Sequence, residues 1–344
     1  MQRSSAARDG AINKRASFMR MKVRVAGLLM LAVGVSSMIG ALRAAEWPSR
    51  PIVVLDGFAP GGGTDVLMRV MAVEMTKTFG QPVVVENRSG ASGHIAAEAV
   101  ARAVPDGQMI MIHTASMITS RPLYAKLGYD VLRDLTPVTQ IVSIPNVLVV
   151  PPSLPVRNVR EFLLLAKRRP GELIFGSTGL GSISHVVGEL FQQEAGIRSV
   201  HVPYRGAAPA TTALISGEAT YAFIVPLVIR SHVEAGKLRA LAVSTIRRSP
   251  VFPDAPTLDE SGIKGIDIPH WYGIWAPAKT PPAIIDALYK EYVRVMALPN
   301  IRERFQREGA EAIGSSPAEF AKFVTSEVTR WTEVARKAGL KPES

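Results

Sequence analysis

From Pro51 onward, apolar and polar positions alternate between runs suited to buried strands and spacings suited to helices. Ile52 to Leu55 is a short apolar run ended by Gly57 and Pro60. A helical stretch follows with Leu67, Val70, Met71 and Met75 on one face, and it stops at Gly80. Pro82 to Val85 reads as a second strand. Ala91 to Ala103 reads as a helix, closed by the turn residues Pro105, Asp106 and Gly107, and Met109 to Ile112 as a third strand. Strands alternating with helices of this length imply a parallel sheet covered by helices on both faces.

The rhythm breaks at Leu135 to Val150, a long extended stretch interrupted by Pro137 and Pro145. A second β/α series follows, with helices predicted at 159–168, 182–194, 208–216 and around 227–234, and strands at 173–175, 199–202, 220–224 and 239–243. Pro250, Pro253 and Pro256 mark a loop, Trp271 to Ala276 is again extended, and helices at 281–297, 301–308 and 317–338 close the chain. Two β/α series joined by long extended segments predict two lobes, with the last helices returning to the first. The expected division is a leader at 1–44, lobe 1 at 46–143 with 272–344, and lobe 2 at 144–271.

Charge changes the picture only at the start. The net charge of +11 over 344 residues invites a nucleic-acid reading. Eight basic side chains and one acid fall in the first 44 residues, which leaves 32 basic and 28 acidic groups beyond them. No basic stripe interleaved with aromatics tracks a phosphate backbone, so no nucleic-acid partner is expected. Lys22 and Arg24, the uncharged run Val25 to Leu42, and Ala41, Ala44 and Ala45 follow the order of a secretory signal peptide. The run is near spanning length, but Gly27, Gly34 and Gly40 dilute it, and cleavage is the expectation. The absence of cysteine excludes disulfides, thiolate zinc sites and cysteine nucleophiles. The six histidines are scattered without metal spacing, so no metal and no cofactor are expected.

The strongest candidate site is Phe58, Ala59, Pro60, Gly61, Gly62, Gly63, Thr64 and Asp65, between the first strand and its helix. Glycines let the backbone approach a ligand without Cβ obstruction, and a helix start presents unpaired N–H donors that favour an anion. The spacing fits neither a P-loop nor a dinucleotide fingerprint, and a glycine-rich turn without a ligand is the bland alternative. A second candidate runs from Gly176 to His185, where Ser177, Thr178, Ser182 and Ser184 supply hydroxyls. Ser182 or Ser184 with His185 as base would make an exported hydrolase, but no G-x-S-x-G elbow is present, and helix capping or ligand recognition competes. Thr114 and Ser116 end the third strand, where ligands bind in doubly wound folds, and capping competes there too. Trp271 and Tyr272 either wall a pocket or fill a core. Arg205 either clamps a carboxylate or lies on the surface.

Taken in order, these strings resemble the tripartite tricarboxylate transporter receptors, the Bug/TctC-like solute-binding proteins. The resemblance rests on Pro51 to Val54, Ala59 to Asp65, Gly80 to Arg88, Pro105 to Gly107, Pro145 to Val150, His201 to Gly206, Ala235 to Val243 and Trp271 to Pro277. It implies a type II periplasmic-binding-protein fold of the α/β class, two doubly wound lobes joined by two crossing strands. It also implies a non-enzymatic periplasmic receptor that passes a small organic carboxylate to membrane permease subunits and acts as a monomer. A ligand-sensing module needs the same cleft and stays open as an alternative. By resemblance, Phe58 to Asp65 would hold one carboxylate, with Thr114, Ser116, Ser177, Thr178, Ser182, Ser184, His185 and Trp271 contributing around it. Many relatives carry an aspartate where Ile224 stands here. That departure implies a ligand without an α-amino group and with an apolar or aromatic body.

Overall fold

The computed structural model describes residues 47–124 and 126–337, so the expected signal peptide lies outside the described residues. Two mixed sheets form the frame. In the first, β1 (Ile52–Asp56) lies between β2 (Val83–Asn87) and β3 (Met109–Thr114), parallel to both. Then β10 (His270–Pro277) runs antiparallel between β3 and β4 (Leu135–Ile144), and the short β11 (Glu311–Ala312) ends the sheet. The order is β11-β4-β10-β3-β1-β2. The second sheet, β7-β6-β8-β5-β9, comprises β5 (Val147–Val150), β6 (Ile174–Ser177), β7 (Val200–Pro203), β8 (Tyr221–Ile224) and β9 (Arg239–Val243).

Helices cover both sheets because each carries one apolar face. Helix α1 (Gly63–Phe79) buries Leu67, Met68, Met71 and Met75, and ends where Gly80 takes a left-handed conformation at φ 63°. Helices α2 (His94–Ala101) and α3 (Ser116–Thr119) complete the early part of lobe 1. Lobe 2 carries α4 (Val159–Arg168), α5 (Ile183–Ala195), α6 (Ala207–Ser216) and α7 (Pro226–Glu234). The chain then returns to lobe 1 with α8 (Pro282–Ala297), α9 (Pro299–Arg307) and α10 (Pro317–Lys337). No helix among the described residues is long and apolar enough to cross a membrane.

Three expectations change. The stretch from Leu135 to Val150 is two strands in different sheets, because Pro145 and Asn146 break the ladder between them. The helix expected from Ala91 starts at His94, after a 3-10 turn in which Ser92 and Gly93 take positive φ. Helix α3 and strand β11 were too short to leave a periodic signal.

Candidate functional site

Each sheet turns the carboxyl ends of its parallel strands toward the other lobe, and the lobes meet there. Ala59 N–H donates to the Arg205 carbonyl at 3.1 Å, Ser92 Oγ to the Leu180 carbonyl at 2.6 Å, and Thr119 Oγ1 to the Gly181 carbonyl at 2.7 Å. Behind these contacts lies a cavity of about 20 Å³, room for about one water-sized group. Phe58, Gly63, Thr64, Thr114, Asn146, Thr178, Ala207, Val225, His270 and Tyr272 line it. Phe58 and Thr178 also wall an outer chamber of about 190 Å³ that reaches Tyr124, Tyr204 and Arg205. This is a closed cleft.

Three helices begin at the inner cavity. Helix α1 starts behind Gly62, α6 behind Gly206 and α7 behind Val225, and none of them has a side-chain cap. The first turns of α1 and α6 keep N–H donors without intrahelical acceptors, apart from Pro209, which has none; in α7 Pro226 has no N–H and Val228 N–H donates to the Val225 carbonyl, so that helix adds chiefly its dipole. Gly63 is required for the fit, since a Cβ there would overlap the Tyr272 hydroxyl and approach Val225 Cγ2 to 3.1 Å. The rest of the glycine-rich turn is satisfied internally. Phe58 N–H donates to Asp56 Oδ1, Gly61 N–H to Asp65 Oδ2, and Gly62 N–H to the Ala59 carbonyl. Asp65 also accepts from Arg69; burial would raise its carboxyl, but the Arg69 and Gly61 hydrogen bonds hold it below its usual value.

The two segments that cross between lobes supply the side-chain donors. Asn146 sits at the break between β4 and β5, its N–H on Ser244 Oγ and its carbonyl accepting from Ser244 N–H. That pins its backbone, and its Nδ2 lines the cavity without a hydrogen-bond partner. His270 opens β10, 6% exposed, with neither ring nitrogen partnered. Burial holds its imidazole neutral, its pKa pushed down to about 3. Tyr272, opposite Thr114 in the register, shares its face of the sheet, and burial raises its phenol. Buried polar atoms left unpaired each carry a desolvation cost that an incoming acceptor would remove.

Of the residues expected from sequence, Phe58, Gly63, Thr64, Thr114 and Thr178 reach the cavity. Ala59, Pro60, Gly61, Gly62 and Asp65 build the turn without lining it. Ser116, Ser177, Ser182, Ser184 and His185 do not line it either. Ser182 caps α5 by accepting from His185 N–H, Ser184 Oγ bonds Thr178 and Ser182, and Ser116 Oγ accepts from Ile183 N–H. Ser177 Oγ contacts His201 Nε2 at 2.7 Å. His185 Nδ1 accepts from Gly181 N–H, so neither Ser182 nor Ser184 has its hydroxyl on the His185 ring.

Trp271 is a correction. Its side chain points to the opposite face from His270 and Tyr272, where Nε1 donates to Glu327 and the ring packs on Phe320 and Phe323. Ile224 likewise faces the lobe 2 core, and the next residue, Val225, forms the apolar wall. Among the described residues, no group of three or more histidine, aspartate or glutamate side chains is placed to hold a metal ion.

Comparison with known proteins bears on the fold and the family. BugT of Bordetella pertussis is 34% identical over 319 residues, 92% of this chain and 97% of that protein. The solved periplasmic binding protein BugD is 33% identical with a TM-score of 0.83, covering 86% of this chain and all of that one. Rpa4515 of R. palustris, solved with adipate, is 36% identical with a TM-score of 0.83 over 86% of this chain and all of that one. MatC from Rhodopseudomonas palustris, solved with malate, is 31% identical with a TM-score of 0.80, covering 84% and 99%. PhnD1 of Prochlorococcus marinus, at 12% identity and a TM-score of 0.52, shares the fold alone. The model of the tripartite tricarboxylate transporter family receptor matches residues 67–340, and with two α/β lobes of the type II periplasmic-binding kind the chain belongs to that family of solute-binding receptors.

Proposed function

We propose that this protein is a periplasmic receptor, exported by a cleaved leader and acting as a monomer, that closes on a small organic carboxylate and delivers it to a tripartite permease. The observation that carries the reading is convergence. Three uncapped helix starts, Asn146 Nδ2 and the His270 ring all meet at one buried cavity whose lining holds no charged side chain. Neutral donors and helix dipoles suit a carboxylate without requiring a buried cation. The adipate and malate bound to two relatives belong to the same ligand class.

The lining also sets the ligand's shape. One oxygen of the carboxylate enters the inner cavity, and the rest of the ligand runs past Phe58 and Thr178 into the chamber walled by Tyr124 and Tyr204, with Arg205 at the mouth. No aspartate or glutamate lines either space, so an α-ammonium would be desolvated without a counter-charge. The ligand therefore lacks an α-amino group. Because Asn146 and His270 sit on the two crossing segments, the ligand bonds to the hinge as well as to both lobes, and it favours the closed state by that difference in contacts. A permease distinguishes the closed surface from the open one.

A thermal-shift screen of the exported protein against mono- and dicarboxylates tests the proposal. Glutarate is expected to raise the melting temperature and glutamate, its aminated counterpart, to leave it unchanged. Preference for the amino acid would refute the ligand class, and a library without a single stabilising acid would refute the carboxylate reading.

A further inference from the structure

Asp56 stands directly behind the anion site and contacts no cation. It is fully buried at the end of β1, and its two oxygens lie 2.9 and 2.8 Å from Thr64 Oγ1, while Oδ1 also accepts from Phe58 N–H. Thr64 in turn lines the inner cavity. The charged and titratable groups around it do not neutralise it. On α1, Arg69 is committed to Asp65 and Asn87; just past β2, Arg88 pairs with Glu86 in solvent; on β3 and α2, burial keeps His113 and His94 neutral; on β10, Tyr272 and His270 are neutral as well.

A hydroxyl has one proton to donate. With Asp56 ionised, Thr64 must spend that proton on the carboxylate and turns lone pairs toward the cavity, which opposes an anion. With a proton on Asp56 Oδ2, the carboxyl O–H donates to Thr64 Oγ1, and the threonine proton is released toward the cavity. We propose that carboxylate capture is coupled to protonation of Asp56, with Thr64 as the relay that changes from acceptor to ligand donor. One proton enters from solvent with each ligand, and no other bond changes. Burial already pushes the Asp56 carboxyl up to about 7, partly offset by its Thr64 and Phe58 hydrogen bonds, so the switch lies near neutral pH.

The inference rests on the carboxylate reading and is separable from it. Titration calorimetry with adipate, malate and benzoate in buffers of different ionisation enthalpy measures the protons taken up per ligand. Proton uptake by the wild-type protein is expected to rise from about half a proton at pH 7 to close to one by pH 8.5, its affinity falling ever more steeply, up to tenfold per pH unit. Asp56→Asn, whose amide donates permanently to Thr64, is expected to bind without uptake at the affinity the wild-type protein shows near pH 6. Binding without proton uptake, or uptake that persists in Asp56→Asn, overturns the Asp56 proposal alone. If none of the three acids binds at any pH, the carboxylate reading and the coupling fall together. The wild-type measurement stands even if the variant fails to fold.

Discussion

Two glycine-rich turns, 58–65 in lobe 1 and 176–185 in lobe 2, each join a strand to a helix, face the same cleft and satisfy most of their own donors, yet they differ at the helix start. The lobe 2 turn consumes its donors there as well. Thr178 N–H goes to Ser184 Oγ, Gly181 N–H to His185 Nδ1, and His185 N–H to the Ser182 cap. The lobe 1 turn ends in Gly62, whose missing side chain leaves the first turn of α1 uncapped at the cavity. A serine in the N-cap position stabilises its own helix; a glycine there leaves the helix end to a ligand. The same difference separates α6, uncapped behind Gly206 and lining the cavity through Ala207, from α5, capped and outside it.

Gly63→Val breaks the comparison most severely. Its side chain overlaps the Tyr272 hydroxyl and crowds Val225, so closure is overpacked by about 1–3 kcal/mol and the room for a ligand head is filled. Carboxylate affinity should fall more than about 100-fold by calorimetry, while far-ultraviolet circular dichroism stays that of the folded chain. Retained affinity would show that α1 does not hold the ligand.

Next come the crossing segments. Asn146→Ala and His270→Phe each remove a buried donor that has no protein partner. Each should weaken carboxylate binding by about 1–3 kcal/mol, roughly tenfold to a hundredfold. The ligand-free melting temperature should hold or rise, because no existing hydrogen bond is lost. A large drop in ligand-free stability with unchanged affinity would make both residues structural only.

The smallest effects come from exchanging the caps. Ser182→Ala should cost about 1 kcal/mol of stability in urea titration and leave affinity unchanged. Gly62→Ser should do the reverse, adding at most a few tenths of a kcal/mol while lowering affinity, since the new hydroxyl competes for the first-turn donors. Its Cβ, 3.2 Å from the Ala59 carbonyl oxygen, limits the gain. Equal responses from the two turns would erase the distinction.

Much of the frame was legible. The strand–helix alternation, the extended crossings and the anion-friendly start of α1 all follow from local periodicity, glycine placement and the proline breaks. Gly206 before α6 carried the same signal as Gly62 and was readable in principle. Trp271 shows where legibility stops. Every residue of β10 is buried on both faces, so no polar–apolar alternation tells which side chains meet the cleft and which meet α10. The serines of 176–185 show a second limit, because a hydroxyl near a helix start serves a cap as readily as a ligand.

Sequence alone determined the repeated β/α units, the two series and a glycine-capped helix suited to an anion, because these depend on residues within one turn or one strand of each other. Tertiary structure decided which donors stay unpaired. Asn146, His270 and Tyr272 join Gly63 at one cavity through strand register and through closure of two lobes, contacts that span as many as about two hundred positions of the chain and leave no mark on any short stretch of it.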